Sequence, residues 1–213
     1  SIGKLITART TDELVENLKE TEYYAPLKKI KDTDNVTLYD YNLALDLYYY
    51  TSTWKEQKKI LKKSDLELFM RDRGSKIDLL NIQWIYRAKK YYNMKPADIY
   101  LMLIPIHYKL STELVKDMVE APGVEEFENV VIRTTYARHY NFKQNLTMEQ
   151  MYADCLHHLY TADRRKNPYS VSAINTYLFL KEEELKKLTT VMECVRYGLN
   201  PGETAAYIGG RTR

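Results

Sequence analysis

The chain has 213 residues, 45% hydrophobic and 29% charged, which is enough for one large domain or two small ones with real cores and argues against wholesale disorder. Gly and Pro number only 7 and 6, too few for the turns of a sandwich or barrel. A net charge of +3, from 32 basic and 29 acidic residues with interleaved signs, argues against the one-sided basic face of a nucleic-acid binder.

In chain order, helical periodicity dominates. The stretch from Asp12 to Glu20 opens after Thr10 and Thr11, and Glu13 stands three residues past Thr10, a capping-box spacing. Leu38, Tyr41, Leu45, Tyr48 and Tyr49 recur at three- and four-residue steps and predict one apolar helix face. From Asp78 to Tyr92 the same pattern returns in Leu79, Ile82, Ile85 and Tyr86, with Asn93 as a stop and Pro96 at the first turn of the next helix. The run Ile99 to Ile106 is the longest apolar one; Pro105 breaks it, and it falls short of the ~20 residues a membrane helix needs. Ser111 to Glu120 reads as a short helix ended by Ala121-Pro122-Gly123, and Met148 to Tyr160 as an amphipathic one. Val130 to Thr134 alone carries strand-forming residues. Ser170 to Leu180 and Lys181 to Tyr197 read as two successive helices or one continuous helix, followed by Gly198 as a stop and Pro201 as a restart. Gly209 to Arg213 reads as a frayed tail. Twenty tyrosines suit half-buried helix faces and interfaces, since each has an apolar body and a polar tip.

The chain also repeats itself. Thr21-Glu22-Tyr23 is echoed by Thr134-Thr135-Tyr136 at an offset of 113, where Glu13, Leu14 and Leu18 meet Glu126, Phe127 and Val131. At 110, Thr37-Leu38 meets Thr147-Met148 and Tyr50-Thr51 meets Tyr160-Thr161. At 106, Asp78-Leu79 meets Glu184-Leu185, and Ile82, Ile85, Lys90 and Tyr91 meet Leu188, Val191, Arg196 and Tyr197. At 105, Pro96 meets Pro201 and Asp98 meets Glu203. Offsets that shrink steadily describe a duplication whose second copy has lost loop residues. Chance likeness among amphipathic helices would not give one ordered series. The expected organisation is therefore two helical lobes, residues 1–110 and 111–213.

No catalytic constellation stands out. His157 and His158 are adjacent and point about 100° apart on a helix, so with Cys155 they lack the i, i+4 spacing of a chelating pair. His107 and His139 stand alone. Two cysteines, Cys155 and Cys194, make no disulfide framework and fit a reducing compartment. Lys181-Glu182-Glu183-Glu184 reads as a helix start, with acids at the positive end of the dipole. There is no phosphate loop and no nucleophile elbow, so no metal, cofactor or catalytic residue is expected. The basic runs Lys55 to Lys63 and Asp163 to Lys166 read as solvated helix ends, or as contacts with an acidic partner or anionic membrane surface.

The run from Lys76 to Tyr92 resembles the D-x-x-N-I…R-x-K helix of the C subunit of bacterial and archaeal V/A-type rotary ATPases, which is the d subunit of the eukaryotic V-type enzymes. Tyr177 to Leu188 resembles that family's Y-L-x-x-K-E-x-E-I-x-N-L signature, with Leu185 in place of Ile and Lys187 in place of Asn. Arg196-Tyr197-Gly198-Leu199 with Pro201 fits its closing segment. The likeness covers nearly the whole chain.

The resemblance implies an all-α fold in which two lobes belong to a pseudo-threefold, three-lobed funnel. The first lobe is then expected to lie in an N-terminal part that this chain, starting at Ser1 without Met, lacks. It implies a non-catalytic coupling subunit, peripheral on the cytoplasmic side of the membrane, whose partners are the central-stalk subunits and the membrane rotor ring, serving ATP-driven ion transport or ATP synthesis. Arg87, Lys89, Lys90 and Arg196, from matched helices of the two copies, are the interface candidates; as ordinary surface ion-pair residues they would do nothing of the kind. Asp78 and Glu184 are expected near helix starts as caps. A helical-repeat adaptor unrelated to rotary ATPases is the alternative.

Overall fold

The computed structural model describes residues 2–33, 35–139, 148–166 and 169–208. Within them every regular element is helical: α1 (Ile2–Ile6), α2 (Thr11–Asn17), α3 (Tyr24–Lys31), α4 (Leu38–Ile60), α5 (Lys63–Tyr92), α6 (Pro96–Met102), α7 (Thr112–Glu120), α8 (Val124–Ile132), a 3-10 turn (Thr135–His139), α9 (Met148–Lys166), α10 (Val171–Arg196) and α11 (Pro201–Tyr207). Val130 to Thr134 closes a helix and forms no strand. Thr147 and the tail from Gly209 lie outside the described residues, as do the side chains of His139 and of Asp163 to Lys166.

Local chemistry explains the ends. Thr10 accepts the Glu13 amide at 3.1 Å, and the Glu13 carboxylate reaches back to the amide of Arg9 at 2.9 Å. The reciprocal bond of a capping box thus closes one residue earlier than the spacing suggests. Asn93 ends α5 in the left-handed region at φ 45°, which Asn tolerates better than most residues. Pro96 and Pro201 each sit in the first turn of their helix, where a missing amide proton costs nothing. Lys181 to Glu184 does not start a helix: α10 runs unbroken from Val171 to Arg196, since Leu180 and Lys181 offer neither a breaker nor a cap.

Three helix starts and one helix end fall at the sequence offsets. Thr11 plus 113 is Val124, where α8 begins; Leu38 plus 110 is Met148, where α9 begins; Pro96 to Met102 plus 105 is Pro201 to Tyr207, the span of α11.

Two compact units form. One comprises Ser1–Leu61 and Met94–Ile106, the other Lys62–Asn93 and His107–Arg213. In the first, α3 packs on α2 and α4. Val15 and Leu27 are buried, and the rings of Tyr23 and Tyr48 meet edge to face at 6.0 Å. The tyrosine-rich face of α4 is only half covered: Tyr41, Leu45 and Tyr48 are partly buried, while Leu38 and Tyr49 are exposed.

The second unit is organised by α5. Ile77, Leu79, Ile82, Ile85 and Ala88 are buried, and α7, α8, α9 and α10 all pack against this helix. Phe127 and Val131 of α8, Met118 and Val119 of α7, and Met151 of α9 complete the core. Gly74 is a close approach. A Cβ there would stand 2.6 Å from the Tyr108 ring and 2.7 Å from its Cβ, so the chain tolerates no larger side chain without moving the loop.

Candidate functional site

The best-defined polar construction in the molecule is centred on Asp78. This residue is not near a helix start, as the capping reading expected; it lies in the middle of the thirty-residue α5 and is fully buried. It sits on the same stripe as Ile82 and Ile85, four and seven residues on, so the helix turns it into the core with them. Its Oδ1 accepts the Tyr108 amide at 3.0 Å. Its Oδ2 accepts the amides of Lys109 at 2.7 Å and Leu110 at 3.2 Å, and the Tyr136 hydroxyl at 2.7 Å. Three consecutive backbone donors, left over by the turn before α7, are thereby satisfied inside the protein.

Burial pushes the Asp78 carboxyl above the ordinary carboxylate range, and the three amides and Tyr136 pull it back in part. Burial, followed by the Asp78 charge, pushes the Tyr136 phenol far up, so it remains a donor at any physiological pH. Asp78 therefore joins α5, the turn entering α7 and the 3-10 turn at one point. Sequence reasoning missed this role. The signal was there: an acidic residue in register with a buried apolar stripe, which is rarely left without donors.

The four interface candidates divide. Arg87, Lys90 and Arg196 are exposed. The Lys90 ammonium lies over the rings of Tyr86 and Tyr91, 4.9 and 5.5 Å from their centroids. Lys89 faces inward. It donates to the carbonyls of Val119 at 2.7 Å and Ala121 at 2.6 Å, the C-terminal end of α7, where the helix dipole favours a cation. Burial holds its pKa below the usual lysine value. Replacing Lys89 with Met is expected to cost about 1.5–3 kcal/mol, the range for hydrogen bonds to a charged group. It should also raise amide exchange in the last turn of α7; an unchanged urea midpoint and unchanged exchange would show that the ammonium does not hold that end.

Glu184, the sequence counterpart of Asp78, is exposed in mid-helix and pairs with Lys181 at 2.7 Å. His157 and His158 are exposed, and Cys155 is buried with its thiol pushed up to about 11 by burial, which keeps it protonated. Among the described residues no group of three His, Cys, Asp or Glu side chains is placed to hold a metal ion. A hollow of about 170 Å³ is lined by Asp72, Arg73, Lys76, Asn175 and Glu182, with Tyr160 and Phe179 stacked at 4.6 Å on its apolar side. The lysines of the run Lys55 to Lys63 are exposed at the end of α4 and the start of α5.

Among known proteins, the family model described as "ATP synthase (C/AC39) subunit" matches residues 1–207. The A-type ATP synthase C subunit of Methanosarcina mazei is 32% identical over 136 residues, covering 64% of this chain and 36% of that protein. The corresponding protein of Methanosarcina barkeri is 26% identical over 206 residues, 94% of this chain and 55% of that protein. That of Pyrococcus abyssi is 24% identical over 241 residues, 98% and 57%. The chain thus spans about half the length, or less, of these relatives. No solved structure matches it.

Proposed function

Because the chain belongs to the ATP synthase (C/AC39) subunit family, we propose that it acts as a non-catalytic coupling piece of a V/A-type rotary ATPase, linking the central stalk to the membrane rotor ring. The observation that carries this reading is the family match along residues 1–207. The two sequence copies, residues 1–110 and 111–213, are read as two lobes of a three-lobed funnel. The compact units are cut differently because α5, from the first copy, packs with the helices of the second.

The physical case is one of stiffness. A coupler must carry torque without deforming. Close-packed helix interiors have low compressibility and transmit strain, and α5 meets four other helices while a buried carboxylate ties the turn entering α7 to its middle. Among the described residues no helix is long and apolar enough to cross a membrane. The proposed place is peripheral, at the cytoplasmic face, with the ring supplying the membrane-spanning helices. The exposed cations Arg87, Lys90 and Arg196 are the proposed stalk or ring contacts.

The test is capture of the purified chain by the stalk subunits and by the ring of the same enzyme. Binding to either supports the role; binding to neither removes it and leaves a helical adaptor. Arg87→Ala combined with Arg196→Ala is expected to weaken capture about tenfold, the size of a modest arginine hot spot. Unchanged capture by the double variant would exclude these two as the contact.

A further inference from the structure

Helix α10 has two apolar sides. One is docked in the ordinary way: Ser172, Thr176, Phe179 and Cys194 are buried, Phe179 stacks on Tyr160 of α9, and the Thr176 hydroxyl donates to the Tyr160 carbonyl at 2.8 Å. The other side lies in solvent. Val171, Ile174 and Leu178 in its first half, and Leu185, Leu188, Met192 and Val195 in its second, are 39% to 72% exposed. A helix seated by one side needs no apolar line on the other, and a soluble surface rarely carries such a patch without a partner.

The spacing of the bare side says what kind of partner fits. With exposed Lys181 filling the gap in the middle, the steps alternate three and four from Val171 to Val195 without a break. That is the a and d pattern of a coiled coil. Its length is about 36 Å at 1.5 Å per residue. The stripe drifts by about 20° per heptad on a straight helix, so a second helix crossing at about 20° follows it from end to end.

Lys181 is the one charged residue in the seam, and it decides between orientations. In a parallel pair in register, two Lys181 ammoniums face each other in one layer, where like charges repel. In an antiparallel pair with its twofold axis at residue 183, every a position meets a d position, and each facing pair of residue numbers sums to 366. Val171 then faces Val195 of the second copy, Ile174 faces Met192, Leu178 faces Leu188, and Lys181 faces Leu185. The two Lys181 residues are displaced by about 6 Å along the axis. Each has Glu184 of the second copy within about one residue's rise. In the single chain Lys181 already bonds its own Glu184 at 2.7 Å, so the seam pairs the same two groups across the axis. Glu182, the neighbouring acid, lines the hollow that Arg73 and Lys76 share, on the α5 side of the helix.

We propose that the exposed face of α10 is a self-association surface, on which two copies of this chain pair antiparallel along residues 171–195. The layers beside the axis are Leu178 on Leu188 and Lys181 on Leu185, with Lys181 and Glu184 as the charged pair that fixes the orientation. Self-pairing through α10 does not depend on the coupling role.

The test is the mass of the full chain by sedimentation equilibrium, with crosslinking to read the orientation. The native chain is expected to pass from monomer to dimer with rising concentration. Leu188→Asp, which enters the seam twice, should raise the dissociation constant at least about a hundredfold. Its melting temperature as a monomer should not change, since the side chain is already in water. Glu193→Ala, exposed outside the seam, should leave the dimer as it is. Lys181→Glu should weaken the dimer, and Lys181→Glu with Glu184→Lys should restore it.

Orientation is read with Ile174→Cys and Met192→Cys as separate single variants and a short bis-maleimide. Native Cys155 and Cys194 are buried and contribute little. In the antiparallel pair like positions are about 27 Å apart, so neither variant alone should crosslink, whereas a mixture of the two should. A native chain that stays monomeric to about 100 μM overturns the proposal. Crosslinking of either single variant with itself overturns it too, because the pair is then parallel. A charge swap no stronger than Lys181→Glu alone overturns the assigned register. Capture by stalk or ring is measured on the same samples. A monomeric native chain whose capture is lost in Leu188→Asp gives the seam to another helix and overturns self-pairing while supporting the coupling role. A dimer that neither stalk nor ring captures leaves self-pairing standing and removes the coupling role.

Discussion

Asp78→Ala should destabilise the second compact unit by about 4 kcal/mol. The substitution removes the acceptor of three backbone amides and one phenol at once. Each buried donor left without a partner costs roughly 1–3 kcal/mol. Water entering the vacated carboxyl volume recovers part of that sum, because the site is polar and offers it several partners. Asp78→Asn is the sharper probe. It keeps the shape and one acceptor oxygen, but it turns an amide group that can only donate toward groups that also donate. Urea unfolding and amide exchange on α5 and on the turn before α7 measure both variants. A loss below about 1 kcal/mol for the alanine variant would mean that these amides find other acceptors.

The pH dependence follows from the same burial. In the fold the Asp78 carboxyl titrates above its ordinary value, so between the two values the folded chain holds a proton that the unfolded chain has lost. The contribution of this group to stability is therefore complete below the unfolded value, about 4 by the reference for aspartate, and declines as pH rises through the folded one. Asp78→Asn carries no such proton. The gap in stability between the native chain and this variant is expected to narrow as pH rises through that window. A gap that widens would show that the amides, and not burial, dominate the carboxyl.

The helix pattern was legible because it rests on local chemistry: apolar spacing, proline at first turns, and Asn93 at an αL stop. The sequence offsets coincide with the starts of α2 and α8, of α4 and α9, and of α6 and α11, but the matched faces are buried differently: Leu38 is exposed where its counterpart Met148 is buried. Roles that depend on distant partners were not legible. Lys89 and Lys90 are neighbours of one type in the sequence, yet the helix turn sends the first to the end of α7 and the second to its surface. Asp78 and Glu184 occupy matched positions, and only the first has a turn of backbone above it. The continuity of α10 through Lys181 to Glu184 was hidden because a cluster of acids also marks a helix start.

Phe127→Ala is the second large effect, expected at about 3–5 kcal/mol, the range for truncating a buried aromatic ring. Phe127 is fully buried in α8, and its ring lies 6.0 Å from that of Tyr86 on α5. The void left behind opens between the helix that carries the exposed cations and the helix that braces it, so the surroundings cannot collapse without shifting one against the other. Phe127→Leu retains most of the volume and should cost less than half as much. The pair of variants also separates stiffness from contact. If α8 only braces α5, the alanine variant binds the stalk or ring normally at a temperature where it is still folded, and binding falls only with the folded fraction. If binding is lost while circular dichroism and amide exchange show an intact fold, the α8 face itself belongs to the contact, and Arg87 and Lys90 are not sufficient to make it.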